Sequence, residues 1–208
     1  MKTRDHHGWC RQMHRSLLIT ISLLLLAAGA AHPAPPAPRP YGGCGVLALK
    51  PAAGAERSLL PLYEEPGVHR IAELPGSALP RLAGSSEEPL VSASAHRGDW
   101  IQVAYDNAGR KGWLQQTRDS DYLPWREFLP GRQVRILPGM KKGYYKVMSS
   151  PGEGSPERGW LTRDQPVTVL QVEDDWARLQ APQGWFRWRD GDGRLTISLH
   201  EPQGAEKP

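Results

Sequence analysis

Short apolar segments separated by turn residues make up most of the chain after residue 58. Apolar and polar positions alternate from Trp100 to Tyr105, and this segment ends at Asp106 to Gly109, where Asn and Gly readily adopt positive φ. Lys111 to Gln115 follows as the second strand of a predicted hairpin. Two more strands are predicted ahead of this hairpin, at residues 59–63 and 89–95. The pattern favours β-structure rather than helices.

The same order of strands and turns returns later in the chain. Gly98-Asp99-Trp100 followed by Gly112-Trp113-Leu114 matches Asp174-Asp175-Trp176 followed by Gly184-Trp185-Phe186. Trp100 and Trp176 lie 76 residues apart, a spacing expected for a repeated small domain. The strands predicted in the later part are residues 167–173, 176–180, 185–188 and 195–199.

These motifs resemble those of the bacterial SH3-like (SH3b-type) domain. Leu62 to Gly67 is similar to its opening strand and acidic first loop, Gly98 to Trp100 to its middle strand, and Gly112 to Leu114 to the next strand. The resemblance covers residues 58–137 closely and 134–199 more loosely. It implies an all-β fold of two small SH3-like barrels in tandem, the second more divergent, with a short helical turn between them and a disordered Pro-rich N-terminal linker.

The helical turn is predicted between the two barrels. Asp121 is expected to cap it, Pro124 is tolerated in its first turn, and Pro130-Gly131 would end it. Tyr122, Trp125 and Phe128 recur at spacings of three. We expect this face to seal one barrel or the joint between the two.

The N-terminus has the three-part layout of a secretory signal peptide. A basic stretch up to Arg15 precedes an apolar run, and small residues from Ala27 to Ala31 follow. The run from Leu17 to Ala31 has 15 residues, fewer than the roughly 20 that a membrane-spanning helix needs. We predict a signal peptide over residues 1–31, cleaved near Ala30 or Ala31, and a periplasmic or extracellular protein. An uncleaved anchor is the alternative.

The predicted domain boundaries follow from composition and from the repeat. Residues 32–57 form a Pro/Gly/Ala-rich linker, since five of the nine residues from His32 to Pro40 are proline. Barrel 1 is expected over 58–132, barrel 2 over 133–200, and a disordered tail over 201–208. Cys44 lies in the linker as a free thiol, with an intermolecular bridge or lipidation as alternatives. Membrane contact is expected only if the N-terminal segment stays uncleaved or Cys44 is lipidated.

The net charge of the chain is smaller once the predicted signal peptide is left out. The whole sequence carries +4, but residues 1–31 hold four basic residues and one acidic residue, which leaves 22 basic and 21 acidic residues, or +1. A nearly neutral body lacks the positive charge that drives binding to nucleic acid. No nucleic-acid partner is expected.

No set of residues with catalytic, cofactor-binding or metal-binding spacing is visible in the sequence. The histidines after residue 31 are His32, His69, His96 and His200, and none is spaced as a metal-ligand pair. Cys44 has no neighbouring base that would activate it as a nucleophile. We predict a protein that is not an enzyme and that uses no cofactor.

A peptide groove is implied by the resemblance, because Tyr63 and Trp100 match the residues that line it in ligand-binding members. Glu64 and Glu65 beside Trp100 would favour a cationic peptide. The second copy has no aromatic residue after its Gly-Trp strand, which argues against a working groove there. The candidate peptide-binding residues are Tyr63, Glu64, Glu65, Trp100, Trp113 and Tyr122. The tryptophans expected to fill cores are Trp113, Trp160, Trp176, Trp185 and Trp188, so Trp113 has both interpretations.

The predicted function is that of an exported, non-catalytic adaptor of the cell envelope. Its expected partner is peptide, either in peptidoglycan stems or in another envelope protein. The alternatives are a purely structural tandem module and an accessory subunit of a separately encoded cell-wall hydrolase.

Overall fold

β-Strands carry the fold throughout residues 39–50, 59–84 and 89–199, the part of the chain that the structure, a computed structural model, describes. The first half contains β1 (Gly45–Leu49), β2 (Leu59–Tyr63), β3 (Arg70–Pro75), β4 (Arg81–Gly84), β5 (Pro89–Arg97), β6 (Trp100–Ala104), β7 (Lys111–Gln115) and β8 (Ser120–Pro124). The second half contains β9 (Gln133–Ile136), β10 (Lys146–Met148), β11 (Glu157–Trp160), β12 (Pro166–Glu173), β13 (Trp176–Leu179), β14 (Gly184–Arg187) and β15 (Ile197–Leu199).

Helical structure in the described residues is confined to short turns. The α-helix α1 (Trp125–Phe128) joins the two halves, and 3-10 turns occur at Gly76–Ala78 and Lys142–Tyr145. The predicted all-β class is confirmed. In the described ranges no helix has the length and apolar character to cross a bilayer. The predicted signal peptide, its cleavage site and the tail lie outside the described residues, and lipidation of Cys44 stays a prediction.

The two halves build sheets with the same strand order. The first sheet runs β3-β2-β7-β6-β5-β1-β8, with β4 paired to β5, and the second runs β11-β10-β14-β13-β12-β9-β15. Every strand of the second sheet thus has a counterpart at the same place in the first, and all of the pairings are antiparallel. Only β4 has no counterpart. The repeat seen in the sequence is a repeat of topology.

The tight turn before each Trp-led strand shows how the sequence produces this repeat. Gly98 has φ +58 in the β5–β6 turn, and Asp174 has φ +48 in the β12–β13 turn. Gly adopts this left-handed conformation without steric cost, and Asp is among the residues that tolerate it. Both hairpins therefore turn in the same way and start their next strand with a tryptophan, Trp100 or Trp176.

Each sheet encloses an apolar core, and α1 belongs to the second one. The first core consists of Leu47, Leu49, Leu62, Leu79, Val91, Ala93, Ile101, Val103 and Leu114. The second contains residues of β9 to β15 together with Val46, Trp125, Phe128 and Leu129. Trp125 and Phe128 pack edge to face at 5.8 Å. The expectation that these aromatic residues seal a barrel or the joint agrees with these contacts, and Tyr122 packs against the first core.

The position of the helix itself differs from the prediction. Asp121 does not cap it: Ser120–Pro124 is strand β8, and the helix begins at Trp125 with no side-chain cap. Asp121 instead pairs with Ala48 of β1. The local capping signal was outweighed by the backbone hydrogen bonds that β8 gains from β1.

Strand β1 corrects the predicted linker, because Gly45–Leu49 falls inside residues 32–57. This strand lies between β5 and β8, and Leu47 is fully buried. Gly43 ahead of it has φ +61, and a Cβ there would lie 2.1 Å from the carbonyl oxygen of Ala93. Pairing between residues about fifty positions apart has no local signature, so sequence composition assigned this segment to a linker.

Residues 39–43 form an extended segment that pairs with the second half, and we call it the strap. The Gly42 N–H donates to the Gly193 carbonyl at 2.8 Å, and the Leu195 N–H donates to the Pro40 carbonyl at 2.9 Å. Trp125 Nε1 donates to the Gly42 carbonyl at 2.6 Å. The strap therefore connects β1 of the first sheet to the second sheet and to α1.

Candidate functional site

The two aromatic residues predicted to line a groove in the first half pack against each other. Tyr63 ends β2 and Trp100 begins β6, and their ring centroids are 5.3 Å apart with an interplanar angle of 88°. The β2–β3 loop approaches the same indole, since a Cβ on Gly67 would lie 3.6 Å from Trp100. Much of the surface offered by these rings is covered by the chain itself.

The chain's own arginines occupy the places where a cationic ligand was expected. Arg97 lies 3.9 Å from the Glu65 carboxylate and 5.5 Å from the centre of the Trp113 ring. Arg70 lies 5.9 Å from the centre of the Tyr63 ring. Trp113 is 6% exposed, so it offers almost no surface to a ligand. Glu64 is exposed beside Glu65.

Tyr122 lies against a different group of residues. Its ring packs on His96 at 4.3 Å, and its hydroxyl donates to Cys44 Sγ at 3.5 Å. Burial raises the pKa of Tyr122, and the hydrogen bond with Cys44 raises it further. Cys44 is exposed, and its thiol donates to the Ala93 carbonyl at 3.3 Å. The assignment of peptide binding to Tyr63, Glu64, Glu65, Trp100, Trp113 and Tyr122 stays a prediction.

An open groove of about 400 Å³ lies in the second half. It is bounded by the 3-10 turn Lys142–Tyr145, by β10, by the loop between β10 and β11, by the start of β13 and by the end of β14. Its lining residues are Lys141, Gly143, Tyr144, Lys146, Met148, Glu153, Trp176 and Arg187. A volume of this size suits a small ligand or a short segment of peptide.

The groove occupies the place that corresponds to the predicted site of the first half. Trp176 pairs with Arg187 across β13 and β14, as Trp100 pairs with Gln115 across β6 and β7. Met148 pairs with Trp185.

In the first half, the partner of Trp113 is Tyr63. Tyr63 packs against Trp100, whereas at the equivalent position Met148 and Trp176 both line open space. The two halves therefore differ at this position, which is Tyr63 in the first half and Met148 in the second. The first half has a covered aromatic pair there, and the second half has a groove.

Cationic side chains predominate along the groove. Arg187 forms an ion pair with Glu153, and Lys146 forms one with Glu157 at 2.9 Å. Lys141 is exposed and forms no ion pair with any described residue. Lys141, Lys146 and Arg187 face a single lining carboxylate, Glu153. The lining therefore holds three cationic side chains, of which Arg187 and Lys146 are paired with the carboxylates of Glu153 and Glu157.

Trp160 was expected in a core, and this expectation is wrong. Its side chain is 44% exposed, because it lies on β11 at the edge of the second sheet. Lys142 and Lys146 lie 5.1 and 5.3 Å from the centre of its ring. Trp188 is 1% exposed and belongs to the second core, as predicted. Trp176 is half-buried and lines the groove instead.

Sequence reasoning missed the residues of this groove, although one signal for them was present. Alignment of the two Gly-Trp strands places Arg187 opposite Gln115, a charged residue at the end of a strand that otherwise matches. The other lining residues come from a turn and a loop that only the folded chain brings together. In the described ranges no cluster of three or more His, Cys, Asp or Glu residues could hold a metal ion.

Known proteins provide only distant similarity to this chain. No family model and no curated protein matches it. NlpC2 from Trichomonas vaginalis is similar over 80% of this chain and 52% of its own, with 11% identity and a TM-score of 0.35. NlpC1 from Trichomonas vaginalis is similar over 81% of this chain and 51% of its own, with 11% identity and a TM-score of 0.34. The chain thus spans about half the length of both structures.

A third solved structure is the endolysin LysPBC5 CBD. It is similar over 78% of this chain and all of its own length, with 14% identity and a TM-score of 0.24. The chain is similar to these three structures at a level that does not assign it to a family.

Proposed function

We propose that this chain is an exported, non-catalytic module of the cell envelope that binds peptide, and that the groove of the second half is its binding site. The supporting observation is the groove itself, in which Trp176, Tyr144 and Met148 stand beside charged side chains. Aromatic and apolar walls with a few polar groups are typical of ligand sites. The proposed partner is a peptidoglycan stem or a peptide segment of another envelope protein.

The groove is a better candidate than the aromatic pair of the first half. Trp100 is in contact with Tyr63, and Trp113 is nearly fully buried beneath Arg97. A ligand at that place would have to displace side chains of the chain. At Trp176 the equivalent surface lines open volume. In this proposal the first sheet, which includes β1, supports the second sheet and its groove.

The matched tryptophans allow a direct test. The purified full chain is incubated with isolated sacculi and titrated with a synthetic stem peptide, and Trp176→Ala is compared with Trp100→Ala. We expect Trp176→Ala to weaken binding about tenfold or more, because aromatic residues in binding pockets contribute strongly to affinity. Trp100→Ala should retain the affinity of the unmodified chain.

Two results would contradict the proposal. Loss of binding in Trp100→Ala alone would return the site to Tyr63, Glu64, Glu65, Trp100, Trp113 and Tyr122. Absence of any retention or peptide binding by the unmodified chain would favour a purely structural module or an accessory subunit of a wall hydrolase. Circular dichroism of both variants establishes that each is folded.

A further inference from the structure

We infer that the groove of the second half recognises a carboxylate of its peptide ligand, that Arg187 receives this carboxylate, and that Glu153 occupies the same place when no ligand is bound. This inference rests on the proposed function. It adds the charge of the ligand, the receiving residue and an internal competitor.

The guanidinium of Arg187 has hydrogen-bond donors that have no acceptor among the described residues. Its Nη1 pairs with Glu153, and its Nη2 is 4.0 Å from Asp175, beyond hydrogen-bond length. Asp175 is already an acceptor for Arg189 Nε at 2.7 Å. Among the described residues no acceptor is available to the buried Nε of Arg187. A guanidinium carries five N–H donors in a planar arrangement that matches a carboxylate.

Glu153 is placed as a replaceable partner. Its side chain is 77% exposed although its carboxylate reaches Arg187. Exposed ion pairs contribute little to stability, so a ligand carboxylate meets little resistance in displacing it.

Gly152 and Gly154 flank Glu153, and a Cβ on Gly154 would meet no atom within 4 Å. Gly152 has φ +124, which few other residues adopt. The backbone on both sides of Glu153 therefore has room to turn the carboxylate away from the groove.

The two lysines of the groove also favour a negatively charged ligand. Lys141 and Lys146 line it together with Arg187. Lys146 is paired with Glu157, so displacement of Glu153 would leave Lys141 and Arg187 as the cations that a ligand carboxylate can neutralise. A ligand with one or more negative charges would restore the balance.

A peptide fits this groove better than a polymer of phosphate groups. Trp176, Tyr144 and Met148 form walls next to Arg187. They can bury an apolar side chain or the methyl group of an alanine beside the carboxylate. A phosphodiester chain offers nothing of that kind to Trp176.

The test uses one peptide in two forms that differ only in charge. N-acetyl-Ala-Leu-Ala-Ala with a free C-terminal carboxylate and the same peptide as its C-terminal amide are titrated calorimetrically into the purified full chain. We expect the carboxylate form to bind about tenfold more tightly, since charge-assisted hydrogen bonds are the stronger ones. Glu153→Gln should strengthen binding of the carboxylate form several-fold and leave the amide form unchanged.

Arg187→Gln should reduce the affinity for the carboxylate form to that for the amide. The matched controls are Glu73→Gln and Arg126→Gln, which make the same changes of charge at exposed positions of the first half and of α1. Neither control should alter the preference for the carboxylate form. If circular dichroism shows that Arg187→Gln is unfolded, the exposed Glu153→Gln variant decides the result by itself.

Three results would overturn the inference. Equal affinity for both peptide forms in the unmodified chain would remove the carboxylate preference and leave the proposed function standing. No binding of either form, together with no retention on sacculi, would overturn both. Tighter, Arg187-dependent binding of poly(glycerol phosphate) than of the carboxylate peptide would replace the peptide by a phosphate polymer.

Discussion

Asp190 is a buried carboxylate at the point where the strap meets the second half. It is 3% exposed and pairs with Arg39. Its Oδ1 also accepts hydrogen bonds from the backbone N–H groups of Asp192 and Arg194, both at 2.9 Å. Burial acts to raise the pKa of Asp190, but the hydrogen bonds from Arg194, Arg39 and Asp192 outweigh it, and the pKa lies below the ordinary value for aspartate.

The lowered pKa of Asp190 gives stability a defined dependence on pH. Because the folded pKa lies below the unfolded one, the ionised carboxylate stabilises the fold above the unfolded pKa. This contribution is lost as the pH falls through the folded pKa. We expect Asp190→Asn to lower the free energy of unfolding by about 1–3 kcal/mol at pH 7. The difference from the unmodified chain should shrink as the pH falls below about 4.

Urea unfolding followed by tryptophan fluorescence between pH 7 and pH 3 measures this difference. Glu127→Gln is a suitable control, because Glu127 is exposed and its pairing with Arg126 at 3.7 Å contributes at most about 0.5 kcal/mol. A difference for Asp190→Asn that stays constant over this pH range would contradict an ionised, stabilising carboxylate.

Strand β1 shows what a single element adds beyond local sequence. It is an interior strand of the first sheet, hydrogen-bonded to β5 on one side and β8 on the other. Without it, β8 would have no neighbour and the core around Leu47 would be open. The five residues of β1 therefore organise strands that lie tens of residues away in the sequence.

We expect Leu47→Ala to destabilise the protein strongly, because Leu47 is fully buried in the first core. Loss of a buried leucine side chain costs about 2–5 kcal/mol. Val68→Ala removes a side chain that is 79% exposed and should change stability by no more than about 0.5 kcal/mol. Chemical denaturation of both variants provides the comparison. Similar stability of the two would mean that β1 behaves as part of a linker.

Elements with strong local signals could be predicted from the sequence. Residues 59–63 and 111–115 were predicted as strands and coincide with β2 and β7. Strands without such signals were missed: β10 has three residues, and β1 follows a stretch rich in glycine. Their formation depends on partners distant in the chain, which periodicity and turn residues do not reveal.

Which half of the chain holds an open groove could not be predicted from the sequence, and the peptide-binding role given to Tyr63 and Trp100 stays a prediction. The motif that pointed to Tyr63 and Trp100 also marks Trp176 in the second half, where the groove lies. Tyr63 covers Trp100, whereas Met148 leaves Trp176 beside open volume. Such a difference depends on packing in three dimensions.

At the scale of the molecule, the two sheets are joined by α1 and by the strap. Trp125 is 4% exposed, lies 5.1 Å from the Trp188 ring and donates to the carbonyl of Gly42. Its side chain therefore contacts the second core and the segment that leads into the first sheet. Residues from Arg39 onward form one compact unit.

We expect the two sheets to unfold in a single cooperative transition, since they share the packing around Trp125. Trp125→Ala should lower the free energy of unfolding by about 3–5 kcal/mol, and it should do so for amides of both sheets. Native-state hydrogen exchange at Val103 in β6 and Leu179 in β13 reports on the two sheets separately. Trp160→Ala, at an exposed edge position, should change both amides by less than about 1 kcal/mol. A decrease confined to Leu179 in Trp125→Ala would show that the sheets unfold independently.

The route of the strap also determines how the molecule responds to mechanical load. Tension applied to the chain ahead of Arg39 acts first on the hydrogen bonds to Gly193 and Leu195 and on the ion pair with Asp190. It reaches β1 only after those bonds have broken. The second half thereby shields β1 of the first sheet from pulling forces, and a protein anchored by its N-terminal side would keep its first sheet intact under strain.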